Sequence, residues 1–348
     1  MSSTLKPLLE RLLDGRSLTE AEAEQVLTGL TEPTLAPAVA GAVLAALRAK
    51  GVTADELRGF ARGMRRLARR PTLPDVGPTV DVVGTGGDSS HSYNLSTGAA
   101  LLAVAAGARV TKHGNRSVSS RSGSADLLEA LGLPLPLDEA AAGRCLADTG
   151  FTFLYAPHYH PAMKSIAPVR AALGVRTVFN LLGPLTNPAE PPYQLIGAYS
   201  TDAARLLAGA LAGLPARRSY VVHGDPGWDE PTPVGPFLLL TVENGVVTES
   251  RRSAEDYGLP ACSAESLRGG DAAYNAAALT AVFEGRDRGP HRDALVMGAG
   301  LVLELIGKAR DARESARLAA AAIDDGRARD LLRALARFGA AQRPVAGA

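Results

Sequence analysis

An α/β fold is predicted, with a small all-helical N-terminal domain and a large domain on a mainly parallel central sheet. Three features of the 348-residue chain carry this expectation. Residues 1–70 place apolar side chains at helical spacing. After the Pro-rich stretch Pro71 to Pro78, β-branched runs alternate with helix-length segments, as in a parallel sheet covered on both faces. Two of those runs lead into loops rich in Gly, Ser and Asn, and ligand loops in such folds lie at the carboxyl ends of the strands.

Taken in order, Leu5, Leu8, Leu9, Leu12 and Leu13 form a helical stripe that Gly15 ends. Thr19 with Glu22, and Thr53 with Glu56, have capping-box spacing and open two further helices. Between them, Leu35 to Ala49 is apolar nearly all round, which implies burial against other helices or a second subunit. The basic run Arg65, Arg66, Arg69 and Arg70 is read as a solvated helix C-terminus, where cations oppose the dipole. Strands are expected at 79–83, 108–112, 151–155, 193–199 and 218–223, and a hairpin from Phe237 to Glu249 around Asn244-Gly245. Residues 160–174 return to helix. The C-terminal third reads as helices 271–284, 292–308 and 311–338.

Composition narrows the function. With 46% hydrophobic residues the chain can bury a sizeable core, and a net charge of +1 gives no global attraction for nucleic acid or an anionic membrane. Cys145 and Cys262 lack metal-ligand spacing and fit a reducing cytosol. The first apolar run carries charges, unlike a signal peptide, and the apolar runs 95–106 and 294–303 fall short of the ~18 residues that span a bilayer. A cytoplasmic location is expected.

Four segments can carry chemistry. Gly84-Thr85-Gly86-Gly87-Asp88 follows the strand TVDVV and lets backbone N–H groups approach a ligand; Asn94, Ser96 and Thr97 open the next helix. Lys112 to Ser120 forms a second polar loop, with Lys112 and Arg116 supplying charge, before a helix beginning near Ser124. Two such cradles suit a ligand with two phosphate groups. Adjacent Asp229 and Glu230, beyond a strand's carboxyl end, suit Mg²⁺ against a diphosphate. His158 and His160 read as a loop wall rather than metal ligands, and Arg170 is spaced to meet a substrate carboxylate or a surface acid.

Assembled, these segments resemble the anthranilate phosphoribosyltransferase family. The matching stretches are GTGGD at 84–88, SYNLST at 92–97, KHGNRSVSSRSGSADLLEALG at 112–132, APHYHPAMKSIAPVRAALGVRTVFNLLGPLTNP at 156–188 and VVHGDPGWDE at 221–230. The resemblance implies that Gly84, Gly87, Asp88, Ser92, Asn94, Leu95, Ser96 and Thr97 bind phosphoribosyl pyrophosphate. So would Lys112, His113, Gly114, Asn115, Arg116, Ser117, Val118, Ser119, Ser120 and Ser124. It implies Mg²⁺ on Ser96, Asp229 and Glu230, and anthranilate against Gly84, Asn115 and Arg170, with Arg170 on its carboxylate. It further implies a helical domain over 1–75, with 160–180 packing back onto it, an α/β domain over 76–345, and a homodimer formed through the helical domain. No acid–base residue follows; His113 remains a candidate proton acceptor or a loop-shaping residue.

Two departures stand out: Ser92 where the family commonly has Thr, and PTPVGPF after the acidic pair, whose Pro231, Pro233 and Pro236 stiffen the chain. A pyrimidine-nucleoside phosphorylase of the same superfamily and a non-catalytic nucleic-acid-binding relative, the latter resting on the Arg65–Arg70 run, are the rival readings.

Overall fold

The computed structural model describes residues 5–88, 90–117 and 121–342. Four helices come first: α1 (Leu5–Leu13), α2 (Glu20–Leu30), α3 (Pro37–Lys50) and α4 (Ala54–Leu67). The capping boxes at Thr19/Glu22 and Thr53/Glu56 both form, so the first orphan N–H groups of α2 and α4 are satisfied locally. The stripe on α1 buries Leu5, Leu8 and Leu12 and leaves Leu13 65% exposed. Helix α3 buries Val43, Leu44 and Leu47, while Ala38, Ala42, Ala45 and Ala49 line its exposed side.

A seven-stranded sheet follows, in the order β3-β2-β1-β4-β5-β6-β7. Its strands are β1 (Val80–Gly84), β2 (Val110–Gly114), β3 (Phe151–Tyr155), β4 (Tyr193–Gly197), β5 (Arg218–Gly224), β6 (Phe237–Glu243) and β7 (Val246–Arg252). The first five pair in parallel; β6 and β7 add an antiparallel hairpin whose turn residues Asn244 and Gly245 have φ of 52° and 77°, the left-handed pair of a type I′ turn. The chain moves outward from β1 to β2 and β3, then returns to lay β4 on the other side of β1. The strand order therefore reverses beside the carboxyl ends of β1 and β4, where Gly84 pairs with Gly197.

The remaining helices are α5 (Leu95–Ala105), α6 (Ser124–Ala130), α7 (Glu139–Thr149), α8 (Ala156–Tyr159), α9 (Met163–Leu173), α10 (Phe179–Leu182), α11 (Thr201–Leu211), α12 (Ala272–Phe283), α13 (Pro290–Leu305), α14 (Ala312–Asp324) and α15 (Arg327–Gln342). Each sheet face has its own core. One joins Val80, Val82 and Val110 to α5, α13, α14 and α15. The other joins Ile196, Val221 and Leu240 to α11, to the N-terminal helices and to Ile166, Val178, Phe179 and Leu182. Helix α9 and the segment after it thus share a core with α1–α4.

Two sequence expectations need correction. The stretch 311–338 is two helices: Asp325 caps α14, and Gly326, at φ 84°, turns the chain before α15. The basic run is solvated only in part: Arg66, Arg69 and Arg70 are exposed, whereas Arg65 is buried. Arg65 is 4% exposed, donates through Nε to the Leu185 carbonyl at 2.8 Å and lies 3.7 Å from Glu190. Arg66 pairs with Glu24, Arg69 with Glu139 and Arg70 with Glu190. Neighbouring elements supplied acids that no helical period could reveal, and the paired run offers little free charge for nucleic acid.

Arg65→Ala strands the buried Leu185 carbonyl and is expected to cost about 2 kcal/mol of stability. Arg66→Ala breaks only an exposed pair with Glu24 and an exposed hydrogen bond to Thr28, and is expected to change stability by less than about 0.5 kcal/mol. Urea unfolding of the two variants, side by side, measures the contrast; equal losses would contradict the burial of Arg65.

Candidate active site

The site forms where β1, β2, β4 and β5 end. The turn Gly84 to Asp88 leaves β1, and its Gly86 N–H donates to Asp229 Oδ2 at 2.6 Å. Ser96, in the first turn of α5, donates its N–H to Glu230 Oε1 at 2.9 Å, and the Ser92 hydroxyl reaches Glu230 Oε2 at 3.3 Å. The Asp229 N–H faces Asp88 Oδ2 at 3.4 Å. The glycine turn, the head of α5 and the acidic pair after β5 therefore meet at one point, across 134 to 143 residues of sequence.

Glycine is required on both strands that flank the pair. A Cβ on Gly197 would stand 1.5 Å from the Asp229 carbonyl oxygen, and one on Gly84 would stand 2.4 Å from Asp229 Oδ2. The backbone of residue 229 is pressed directly onto the ends of β1 and β4.

Electrostatics mark the same point. Burial raises the Asp229 and Glu230 carboxyls above the ordinary carboxylate range; Asp88 reinforces both shifts and Asp229 adds to that of Glu230. Their N–H partners oppose this only in part. Lys112, on β2, is 2% exposed and donates to the Val82 carbonyl beneath the site. Burial lowers its pKa, while Asp81, Glu230 and Asp229 favour its charged form. Asp81, fully buried, is pushed up to about 6 by desolvation, with Lys112 opposing.

The second loop closes on the first through side-chain amides. Asn94 Nδ2 donates to the Ser122 carbonyl at 3.0 Å, and its Oδ1 accepts from the Ser122 hydroxyl at 3.1 Å and from Asn275 Nδ2 at 2.8 Å. Asn94 thus ties the two loops together and makes no side-chain cap on α5, which ordinary N-capping would have required. Leu95 and Thr97 are buried in the helix–sheet packing. Asn115 Oδ1 accepts from the Arg116 N–H at 2.7 Å, and its carbonyl accepts from the Ser124 hydroxyl at 3.1 Å. Gly114 packs so closely that a Cβ would lie 2.6 Å from Ser124 Oγ. The Arg116 guanidinium is committed to Glu129, at 2.5 and 2.6 Å, and to Asp126, while the Ser117 N–H donates to Asp126 at 3.0 Å. Val118, Ser119 and Ser120 lie outside the described residues.

Similarity to known proteins agrees with this geometry. Residues 76–329 match the glycosyl transferase family a/b domain and residues 6–68 the glycosyl transferase family helical bundle domain. The anthranilate phosphoribosyltransferase of Rubrobacter xylanophilus is 45% identical over 343 residues, covering 99% of each chain. This chain belongs to the anthranilate phosphoribosyltransferase family. The crystal structure of the Thermus thermophilus anthranilate phosphoribosyltransferase superposes with a TM-score of 0.89 at 41% identity, covering 95% of this chain and 99% of that one. The Saccharomyces cerevisiae anthranilate phosphoribosyltransferase, in complex with PRPP and Mg, superposes with a TM-score of 0.89 at 25% identity, covering 98% of this chain and 99% of that one.

Two further candidate residues, Arg170 and His113, lie on α9 and β2. Arg170, on α9, lays its guanidinium 5.0 Å from the Phe179 ring centroid and pairs with no carboxylate among the described residues; burial lowers its pKa. His113 is 4% exposed, its ring 5.0 Å from that of His160. Burial holds both rings neutral, His113 well below the ordinary value and His160 down to about 4. His158 lies 3.3 Å from Glu139, away from any metal-like cluster.

Sequence reasoning named no role for Asn275 or Asn187. Asn187 donates to the Thr111 carbonyl at 2.7 Å, bracing β2 beside Lys112. Its signal was present in LTNP. Asn275 had none, since it reaches Asn94 across 181 residues.

Proposed function

We propose that this chain transfers the phosphoribosyl group of 5-phosphoribosyl 1-pyrophosphate to the amine of anthranilate, giving N-(5-phosphoribosyl)anthranilate and pyrophosphate, the second step of tryptophan biosynthesis. The observation that carries it is the convergence of the glycine turn, the head of α5 and Asp229-Glu230 on one buried point. The yeast relative, solved in complex with PRPP and Mg and separately with 4-fluoroanthranilate, supports the same reading.

In this reading the donor lies over Gly84, Gly87, Asp88, Ser92 and Asn94 to Thr97, with its other phosphate toward Lys112 to Ser120 and Ser124. The Ser96, Asp229 and Glu230 oxygens fit Mg²⁺. They are hard oxygen donors, and the burial and crowding of like charges that raise both carboxyls are offset by a dication. Among the described residues no group of three or more His, Cys, Asp or Glu could hold a metal, so substrate oxygens and water would complete the shell. Bound there, Mg²⁺ supplies charge neutralisation for the departing pyrophosphate.

The chain's own groups align the reactants. The Gly87 and Asp88 end of the glycine turn would face the leaving group, the Thr85 and Gly86 N–H groups being taken by Gly197 and Asp229, and Arg170 meets the anthranilate carboxylate while Gly84 and Asn115 flank its ring. The amine attacks C1 of the ribose from the face opposite pyrophosphate: the N–C1 bond forms and the C1–O bond breaks, with inversion. The transition state resembles an oxocarbenium ion, which the surrounding carboxylates favour. The amine is neutral at pH 7 and needs no strong base before attack; the N–H proton made acidic by the new N–C1 bond then passes to water or to the departing pyrophosphate. The burial of His113 fits the loop-shaping role better than that of proton acceptor.

We further propose a helical domain over 1–75 with 160–180 packed on it, an α/β domain over 76–345, and a homodimer through the helical face that exposes Leu13 and the alanines of α3. No helix is long and apolar enough to cross a membrane among the described residues; a cytoplasmic location is proposed. Sedimentation of the wild type beside Leu13→Glu tests the dimer.

The deciding assay is loss of anthranilate fluorescence on adding phosphoribosyl pyrophosphate and Mg²⁺, with and without chelator. No loss under any condition would sink the reading. Arg170→Ala is expected to raise KM for anthranilate roughly 10- to 100-fold, the worth of a charge-assisted pair, and to leave KM for the donor within about twofold. Equal rises in both would remove its carboxylate role.

A further inference from the structure

The donor site as described holds three carboxylates, Asp88, Asp229 and Glu230, with Lys112 buried beneath them. One further cation stands at its front. Arg176 lies in the connection between α9 and α10, and its Nη2 donates to the Gly87 carbonyl at 2.5 Å. Its guanidinium sits 4.1 Å from the Tyr199 ring centroid, just beyond the end of β4. A Cβ on Gly87 would lie 3.2 Å from Nη2, and Gly87 has a φ of 75°, so the guanidinium rests against bare backbone. The Tyr199 N–H is itself fixed by the Thr85 hydroxyl at 3.1 Å, which makes the stacking surface part of the glycine turn.

Arg176 is exposed, pairs with no described carboxylate, and its other N–H groups make no hydrogen bond within the described residues. Its anchor is among the N-terminal helices. The Arg176 carbonyl accepts from Arg48 of α3, and the following Val178 and Phe179 are buried in the core shared with the N-terminal helices. A planar fork with a fixed plane, one edge engaged and the rest unbonded, at the rim of a phosphate cradle, is arranged to take an oxyanion.

We infer that Arg176 is a substrate-binding residue that clamps the diphosphate of the donor from the side facing away from Asp229 and Glu230. This rests on the proposed transfer reaction. The diphosphate is favoured over the anthranilate carboxylate on two grounds. Arg176 lies on the first glycine turn itself, and Arg170 already offers an unpaired guanidinium against an aromatic ring for the acceptor. The acidic pair and its cation would hold one flank of the diphosphate, and Arg176 the other. Because Arg176 is rooted in the helical core, the grip would also tie the donor to the N-terminal helices.

The test uses the full chain, with Arg176→Met keeping length without charge and Arg176→Lys keeping charge without the fork. Wild-type turnover in the fluorescence assay comes first; its absence would defeat the proposed reaction, not this inference alone. In an active enzyme, Arg176→Met is expected to raise KM for the donor at least tenfold and to weaken pyrophosphate binding, read by calorimetry with Mg²⁺, by a similar factor. KM for anthranilate should stay within twofold, and Arg176→Lys should recover part of the loss. Unchanged pyrophosphate affinity in Arg176→Met would overturn the inference, as would a rise confined to KM for anthranilate. A fall in kcat and melting temperature shared equally by both variants, with pyrophosphate affinity intact, would reduce Arg176 to a structural latch and overturn it too.

Discussion

Replacing Asp229 and Glu230 together by alanine is expected to lower kcat/KM roughly 100- to 1,000-fold and to abolish its dependence on Mg²⁺. The estimate reflects the several kcal/mol of charge stabilisation that a bound metal contributes at a departing oxyanion. Metal dependence that survives the double substitution would remove the pair from the metal site. Stability carries a second, independent signature of the same groups. Burial raises both carboxyls, whereas in the unfolded chain they release protons near pH 4. Above that pH the native state binds more protons than the unfolded state. The stability of the metal-free protein therefore falls as pH climbs through the window between the ordinary and the raised values. Asp81, raised to about 6, contributes in the same direction with or without metal. Mg²⁺ favours the ionised pair, so it should flatten the part of the slope that belongs to residues 229 and 230. Urea midpoints between pH 5 and 8, with Mg²⁺ and with chelator, measure this. Identical pH slopes in the two series would mean that the pair does not bind the ion.

The second large effect is expected from one methyl group. Gly197→Ala places a Cβ 1.5 Å from the Asp229 carbonyl oxygen, and no flexible side-chain tip is available to move aside. Either the end of β4 or the segment at Asp229 must shift, at a cost of about 3 kcal/mol, the upper range of overpacking. The acidic pair would move with it, so transfer activity should fall at least tenfold in the fraction that remains folded. Gly183→Ala is the control: it has a φ of −46° and nothing within 4 Å of its added Cβ. It should leave both stability and activity near wild type. Normal melting temperature and activity in Gly197→Ala would show that residue 229 does not rest on the end of β4.

Much of the fold was legible because its determinants are local. Helical spacing, the two capping boxes, β-branched runs and the Asn244-Gly245 turn each act over a few residues, and each formed close to where it was expected. The break of the last helix at Gly326 was also local, but good helix formers on both sides masked it. The glycine turn, the polar loop and the acidic pair were recognisable as separate stretches, and their order along the chain pointed to the family.

What the sequence by itself determined is the set of elements and the chemical character of each loop, since backbone sterics and hydrophobic period depend on near neighbours. Tertiary structure alone decided which groups meet. The return of β4 beside β1 brings Asp229 onto Gly86 and Glu230 onto Ser96. The same packing buries Lys112 beneath the site, closes His113 against His160, and turns a basic helix end into a set of ion pairs. It also lays Arg176 on Gly87 and Tyr199. These contacts span tens to hundreds of residues, and a side chain's charge state follows from the burial and partners that only those contacts create.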